Sequence, residues 1–134
     1  MQYVLMIVLS LHVLTAVFWA GSTFTLARTA GSGSERLFRP QMGAAAVVVL
    51  TGGYLWHAVH EGGVGPMERF LSAGALCALA AVAVQAIFVG TALRKSRNSE
   101  NDKPALGSRI AVAQRVAAGL LIVATVCMAA ARYA

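Results

Sequence analysis

Charge is what this chain has least of. Asp, Glu, Lys and Arg together make up 12% of its 134 residues, about half the share of a typical soluble domain. Carboxylates are the scarcer sign: Glu35, Glu61, Glu68, Glu100 and Asp102 are the whole set. All five fall between the apolar runs or at their ends, so none is at hand to neutralise a cation deep inside one. Cysteine is down to two, Cys77 and Cys127. They lie far apart inside apolar runs and form no CxxC, which leaves a zinc ribbon, a thioredoxin-like site and c-type haem attachment unsupported. Both read as small buried hydrophobes, although their similar height leaves a bridge geometrically open. No Lys or Arg precedes the first apolar run, which is also longer than a signal-peptide core, so it reads as a retained span. Strand-like alternation is missing, which argues against a barrel. The net charge of +6 does not point to nucleic acid, because the basic residues form no stripe interleaved with aromatics.

What the chain has in plenty is apolar length. Hydrophobic residues are 58% of the sequence, and mean hydropathy is +0.70. Four runs stand out, at about 3–27, 41–59, 68–93 and 109–131. Each is long enough to cross a hydrocarbon layer of ~30 Å at ~1.5 Å per residue. Without water to satisfy backbone groups, such runs must be helices. The connections are short, which makes successive helices antiparallel. The expected fold is an all-α integral membrane protein: one antiparallel four-helix transmembrane bundle over residues 1–134. Small residues on all four runs, from Ala16 and Gly21 through Gly52, Gly53 and Gly74 to Ala117 and Gly119, suit close helix packing in lipid. The Gly52–Gly53 pair could equally clear space for a flat ligand.

The loops set the orientation. The first, from Arg28 to Arg39, holds a Gly31-Ser32-Gly33-Ser34 turn flanked by arginines, and Pro40 suits the first turn of the second helix. The second, near residues 60–66, is Gly-rich and has no Lys or Arg. The third centres on residues 96–102, with Arg94 and Lys95 before it and Lys103 and Arg109 after it. Eight of the eleven Lys and Arg residues belong to the first and third connections. Positive-inside bias then places both termini on the outer side of a bacterial inner (cytoplasmic) membrane.

Few ionisable groups lie within the spans, and each is a functional candidate by default. By helical rise His12 lies ~5 Å to the outer side of the midplane, His57 and Cys127 with Met128 ~10 Å, and Cys77 ~5 Å. His12 and Trp19, seven residues apart, share one helix face, with Thr15 and Ala16 between them. Neutral imidazole is the commonest metal ligand, which makes His12 a candidate haem or metal ligand and His57 its partner. A histidine hydrogen-bonded to a neighbouring helix and a proton relay are the other readings of His12. His57, His60 and Glu61 could also hold copper or zinc at the surface. Arg115 lies ~9 Å to the inner side of the midplane, near the depth of Gln85, Gln114, Ser22 and Thr23. It either snorkels to the interface or faces inward to pair an anionic group such as a haem propionate.

The pattern His12, Trp19, Gly21 on the first helix resembles two kinds of small bacterial membrane protein. One is the copper-resistance D family with its short relatives. The other is the four-helix membrane protoporphyrinogen oxidase family, which binds haem b. The basic turn before the second helix, Thr51 to Gly53, and an arginine near the start of the fourth helix extend the likeness. The oxidase resemblance implies haem ligation by His12. That family also uses a third-helix lysine, whereas this chain has Gln85 there and no lysine before Lys95. The expectation is a b-type haem protein: His12 and His57 as metal ligands, Trp19 and Arg115 beside the cofactor, and electrons passed within the membrane or a small redox complex. The alternatives are an enzyme oxidising a protoporphyrinogen or a quinol, and copper handling or a structural subunit without haem. The expected partners are the lipid bilayer, redox-complex subunits or quinone, and a second copy of the chain.

Overall fold

Each apolar stretch becomes one long helical rod. The computed structural model describes residues 2–59, 62–63, 65–98 and 103–134. Helix α1 is Gln2–Arg28, α2 is Ser34–Val59 and α3 is Pro66–Val84. A π-helical segment, Gln85–Val89, continues α3 into α4, Gly90–Asn98, and α5 is Lys103–Ala131. The backbone stays in the right-handed helical region through both junctions, so α3, the π segment and α4 form one rod. All four rods are long and apolar enough to cross a membrane.

The helices outrun the apolar stretches at the end that carries the basic loops. Apolar count marks lipid thickness, while polar helix formers carry the backbone bonding further. Helix α2 begins at Ser34, and Pro40 sits inside it instead of in its first turn. That proline gives up one backbone hydrogen bond, to the Arg36 carbonyl. The rod through α4 likewise reaches Asn98, and α5 begins at Lys103.

The chain reverses between α1 and α2 in a turn where Ala30, Gly31 and Gly33 all have positive φ. The Gly31 amide caps α1 by donating to the Leu26 carbonyl at 2.7 Å. A Cβ at Gly31 would stand 2.8 Å from Ile110 Cγ2, so the turn lies directly on α5. At the start of α3, Pro66 occupies the first turn and the Glu68 carboxylate accepts from the Gly65 amide at 2.8 Å.

Packing is uneven. Helix α1 lies against α2 and α5, and α3 lies against α5, whereas α2 and α3 touch little. The central core is built from small residues around Trp19: Ala44, Ala45, Ala78, Ala81, Ala117 and Ala124, with Val48 and Leu121. Such residues let backbones approach closely, the usual basis of helix association in lipid. At Gly74 the rods approach closely, since a Cβ there would meet Met128 Cγ at 3.0 Å and the Ala124 carbonyl at 3.1 Å. A second core near the basic loops joins Val89 and Ala92 to Leu106, Ile110 and Ala113. Toward the termini the α1–α2 pair loosens, while α3 stays packed on α5. No residue of α1 before Trp19 is buried, and none of α2 after Val48.

Candidate functional site

Two polar constellations lie inside the apolar rods. The first is on the looser side of the central core, where α1 meets α2. His12 is half-buried, and its Nδ1 lies 2.8 Å from Thr51 Oγ1. The Thr51 hydroxyl already donates to the Val47 carbonyl at 2.6 Å, with the Val48 carbonyl at 3.2 Å. With its proton on the backbone, it accepts from His12. That geometry fits the Nδ1–H tautomer, in which Nε2 has a bare lone pair. Among the described residues the ring's partners are the Thr51 hydroxyl and the Val48 carbonyl, and no side chain meets Nε2. It is not sealed in either, because Gln41 Oε1 is the one fully buried, unpartnered side-chain polar atom among them. Gly52 makes room for the ring: a Cβ there would stand 3.2 Å from His12 Cε1. The space that the glycine pair leaves at Gly52 is therefore filled by the histidine itself.

The second constellation crosses the bundle nearer the basic loops. Trp19 is fully buried, and its indole N–H donates to Gln85 Oε1 at 2.7 Å. Gln85 Nε2 donates to Thr23 Oγ1 at 2.8 Å and to Gln114 Oε1 at 3.0 Å. Gln114 Nε2 reaches Ser34 Oγ at 3.3 Å, and Gln41 Nε2 donates to Thr23 Oγ1 at 3.1 Å. All four rods contribute, and Gln85 is the hub, with its oxygen and both amide hydrogens engaged. It is also the first residue of the π segment, a distortion found often at functional sites. Gln41 Oε1 has no partner. Exchanging its amide oxygen and nitrogen would let the Thr23 hydroxyl donate to the oxygen but would orphan the nitrogen, so one buried polar atom stays unmet in either assignment.

The site residues expected from sequence are therefore separated. Trp19 does share a face with His12, but its N–H is spent on Gln85, and the side chain is a core element rather than a cofactor contact. His57 is exposed. It lies six residues beyond Thr51, ~9 Å further along α2 and on a different face, so one chain does not bring His12 and His57 together as a ligand pair. His60 and Glu61 lie outside the described residues. Arg115 is exposed beside the buried Gln114. The apolar face of α5 turns it outward, and it meets no interior anion. Cys77 and Cys127 are free thiols, both half-buried; Cys77 packs on the central core and Cys127 beside Gly74. No group of three or more His, Cys, Asp or Glu able to hold a metal ion occurs among the described residues.

Sequence reasoning found Gln85, Gln114 and Thr23 by depth but missed Gln41 and Ser34. Both belong to a stretch read as loop or helix start. The signal was there in Gln41, a polar residue opening an otherwise apolar run directly after Pro40.

Two clefts form away from His12. One, of about 190 Å³, runs between α1 and α5 beside Ala20 and Leu121. The other, of about 420 Å³, opens between the first turns of α2 and the π segment with α4. Comparison with protein-family models, with curated proteins and with solved structures finds no match for this chain.

Proposed function

We propose that this chain is a multi-pass membrane protein, with both termini on the outer side of a bacterial inner membrane, that holds haem b through His12 Nε2. Its role is to pass single electrons within the bilayer. The observation that supports this reading is the Thr51 anchor. An imidazole whose Nδ1 meets a hydroxyl that is itself tied to backbone has its ring plane held, and in the Nδ1–H tautomer its Nε2 is left for a ligand bond. That is the outer-shell arrangement that orients a ligating histidine and raises its basicity.

Among the described residues, His12 is the one that would hold the haem. His57 is too far along α2 to join it on the same chain, the Trp19 N–H is committed to Gln85, and Arg115 faces outward. When bound, haem supplies one-electron redox chemistry. What the chain supplies is the ligand nitrogen, its orientation through Thr51, and apolar surroundings that keep water from the centre.

A reduced-minus-oxidised absorption spectrum of protein made with ample haem tests the reading. The expected result is a b-type α band that His12→Ala abolishes and that His57→Ala and Arg115→Gln leave in place. Folded wild-type protein that stays colourless overturns it, and elemental analysis for copper then separates a metal handler from a scaffold. If the band is present, turnover of a porphyrinogen or a quinol separates an oxidising enzyme from a carrier.

A further inference from the structure

The larger cleft carries an inference that does not rest on His12. Its floor is apolar, formed by Phe38 on α2 with Ala86, Gly90 and Leu93 on the rod opposite. Phe38 leans into the gap left by Gly90, where a Cβ would stand 3.2 Å from the ring. Its rim is basic: Arg39 from α2, Arg94 and Arg97 from α4, with Glu35 the one acid lining it. Glu35 engages only Arg97, at 4.0 Å, with both side chains well exposed at 71% and 62%, so the pair is weak. Arg39 and Arg94 meet no carboxylate among the described residues. Two free guanidiniums thus converge from different rods on one opening.

Their height is as informative as their charge. Arg39 ends the basic loop just before the apolar run at 41–59, and Arg94 follows directly on the run at 68–93. Both therefore stand where hydrocarbon gives way to headgroups. Above the cleft α2 and α3 touch little, which leaves a seam along which an acyl chain can lie. We infer that this cleft is a binding site for an anionic phospholipid, its phosphate held between Arg39 and Arg94 and one acyl chain running up the seam between α2 and α3. Guanidinium is suited to the role because it forms paired hydrogen bonds to phosphate oxygens, and basic pockets between transmembrane helices are a recurrent headgroup site. Arg97, half-engaged by Glu35, completes the rim.

The shared chemistry is a phosphate anion, which could come from a lipid or from solution. The test uses the full chain in neutral detergent, with lipid adducts counted by native mass spectrometry and thermal stability followed in parallel. Phosphatidylglycerol and phosphatidylcholine are added in separate titrations, then inorganic phosphate alone. One adduct with phosphatidylglycerol and a raised melting temperature are expected, with little effect from phosphatidylcholine or phosphate. Arg39→Gln with Arg94→Gln should weaken phosphatidylglycerol binding on the order of 30-fold, at the usual worth of two surface arginines near an anionic lipid. Arg28→Gln with Arg36→Gln removes the same charge from exposed positions outside the cleft and should leave binding within about twofold of wild type if the cleft is the site. Arg39→Lys with Arg94→Lys keeps the charge and helix length if the glutamine pair folds poorly, and should lose part of the affinity with the paired bonds. Equal losses in the cleft and control pairs mean diffuse attraction and overturn the site. An equal shift from inorganic phosphate alone overturns the lipid and leaves a soluble-anion site.

Discussion

The two ends of the bundle are built to different rules. Toward the basic loops, every rod contributes to a buried hydrogen-bond network, and the polar groups in it are almost all satisfied. Toward the termini, no residue of α1 before Trp19 and none of α2 after Val48 is buried, and His12 meets Thr51 between the two helices. The first end is held by polar groups spent on each other; the second keeps a nitrogen in reserve. In lipid, where hydrocarbon sees no gain in burying more hydrocarbon, such polar contacts and close small-residue packing are what separate a fixed bundle from a loose one. The buried polar network and the His12–Thr51 pair accordingly lie at opposite ends.

That division can be broken from either side. The largest effect is expected from Gln85→Leu, which strands the Trp19 N–H and unlinks Thr23 from Gln114. Unfolding in mixed micelles should show a loss of about 2–4 kcal/mol, at ~0.6–1.7 kcal/mol per interhelical bond. Gly74→Leu should follow at about 1–3 kcal/mol, because the new side chain meets Met128 and the Ala124 carbonyl where α3 packs closely on α5. Trp19→Phe removes the pyrrole ring from a fully buried site and leaves Gln85 Oε1 unpaired, for about 1–2 kcal/mol. Thr51→Val is the sharpest test of the contrast. Its stability cost should be about 1 kcal/mol or less, yet the ring ¹⁵N shifts of His12 should show Nδ1–H losing its fixed partner. If Thr51→Val and Gln85→Leu destabilise equally, the two ends do not differ in kind.

The four rods were legible from hydropathy alone, since twenty apolar residues in a row have one structural solution in lipid. Their true ends were not. Polar helical turns such as Ser34 to Arg39 look like loop when judged by apolar content, and Pro40 looks like a first-turn residue until the helix before it is seen. Helical phase was the other hidden variable. Depth along the axis placed Arg115 and Gln114 side by side, but which of the two faces inward depends on how α5 is rotated against α1 and α3. The rotation of α2 likewise puts His57 on a different face from Thr51, ~9 Å further along the axis. Trp19 shows the reverse case: its shared face with His12 was read correctly, but the neighbour that claims its N–H lies 66 positions away, beyond any local pattern.

The π segment has a consequence for how such a chain can change. A π turn accommodates one residue more than the α turn it replaces, and one residue turns an α-helix by about 100°. The five residues from Gln85 to Val89 therefore act as a phase coupler between the part of the rod that presents a glutamine to its neighbours and the part that presents Arg94 and Arg97. Removing a single position from this rod would leave hydropathy, span count and net charge untouched. Taken from the π segment, that position would let the rod close into an ordinary α turn, and the arginines would keep their aim at Phe38. Taken from the regular helix beside it, the same single position would swing them about a quarter turn, so that two sequences indistinguishable by every bulk measure would aim their cations at different neighbours.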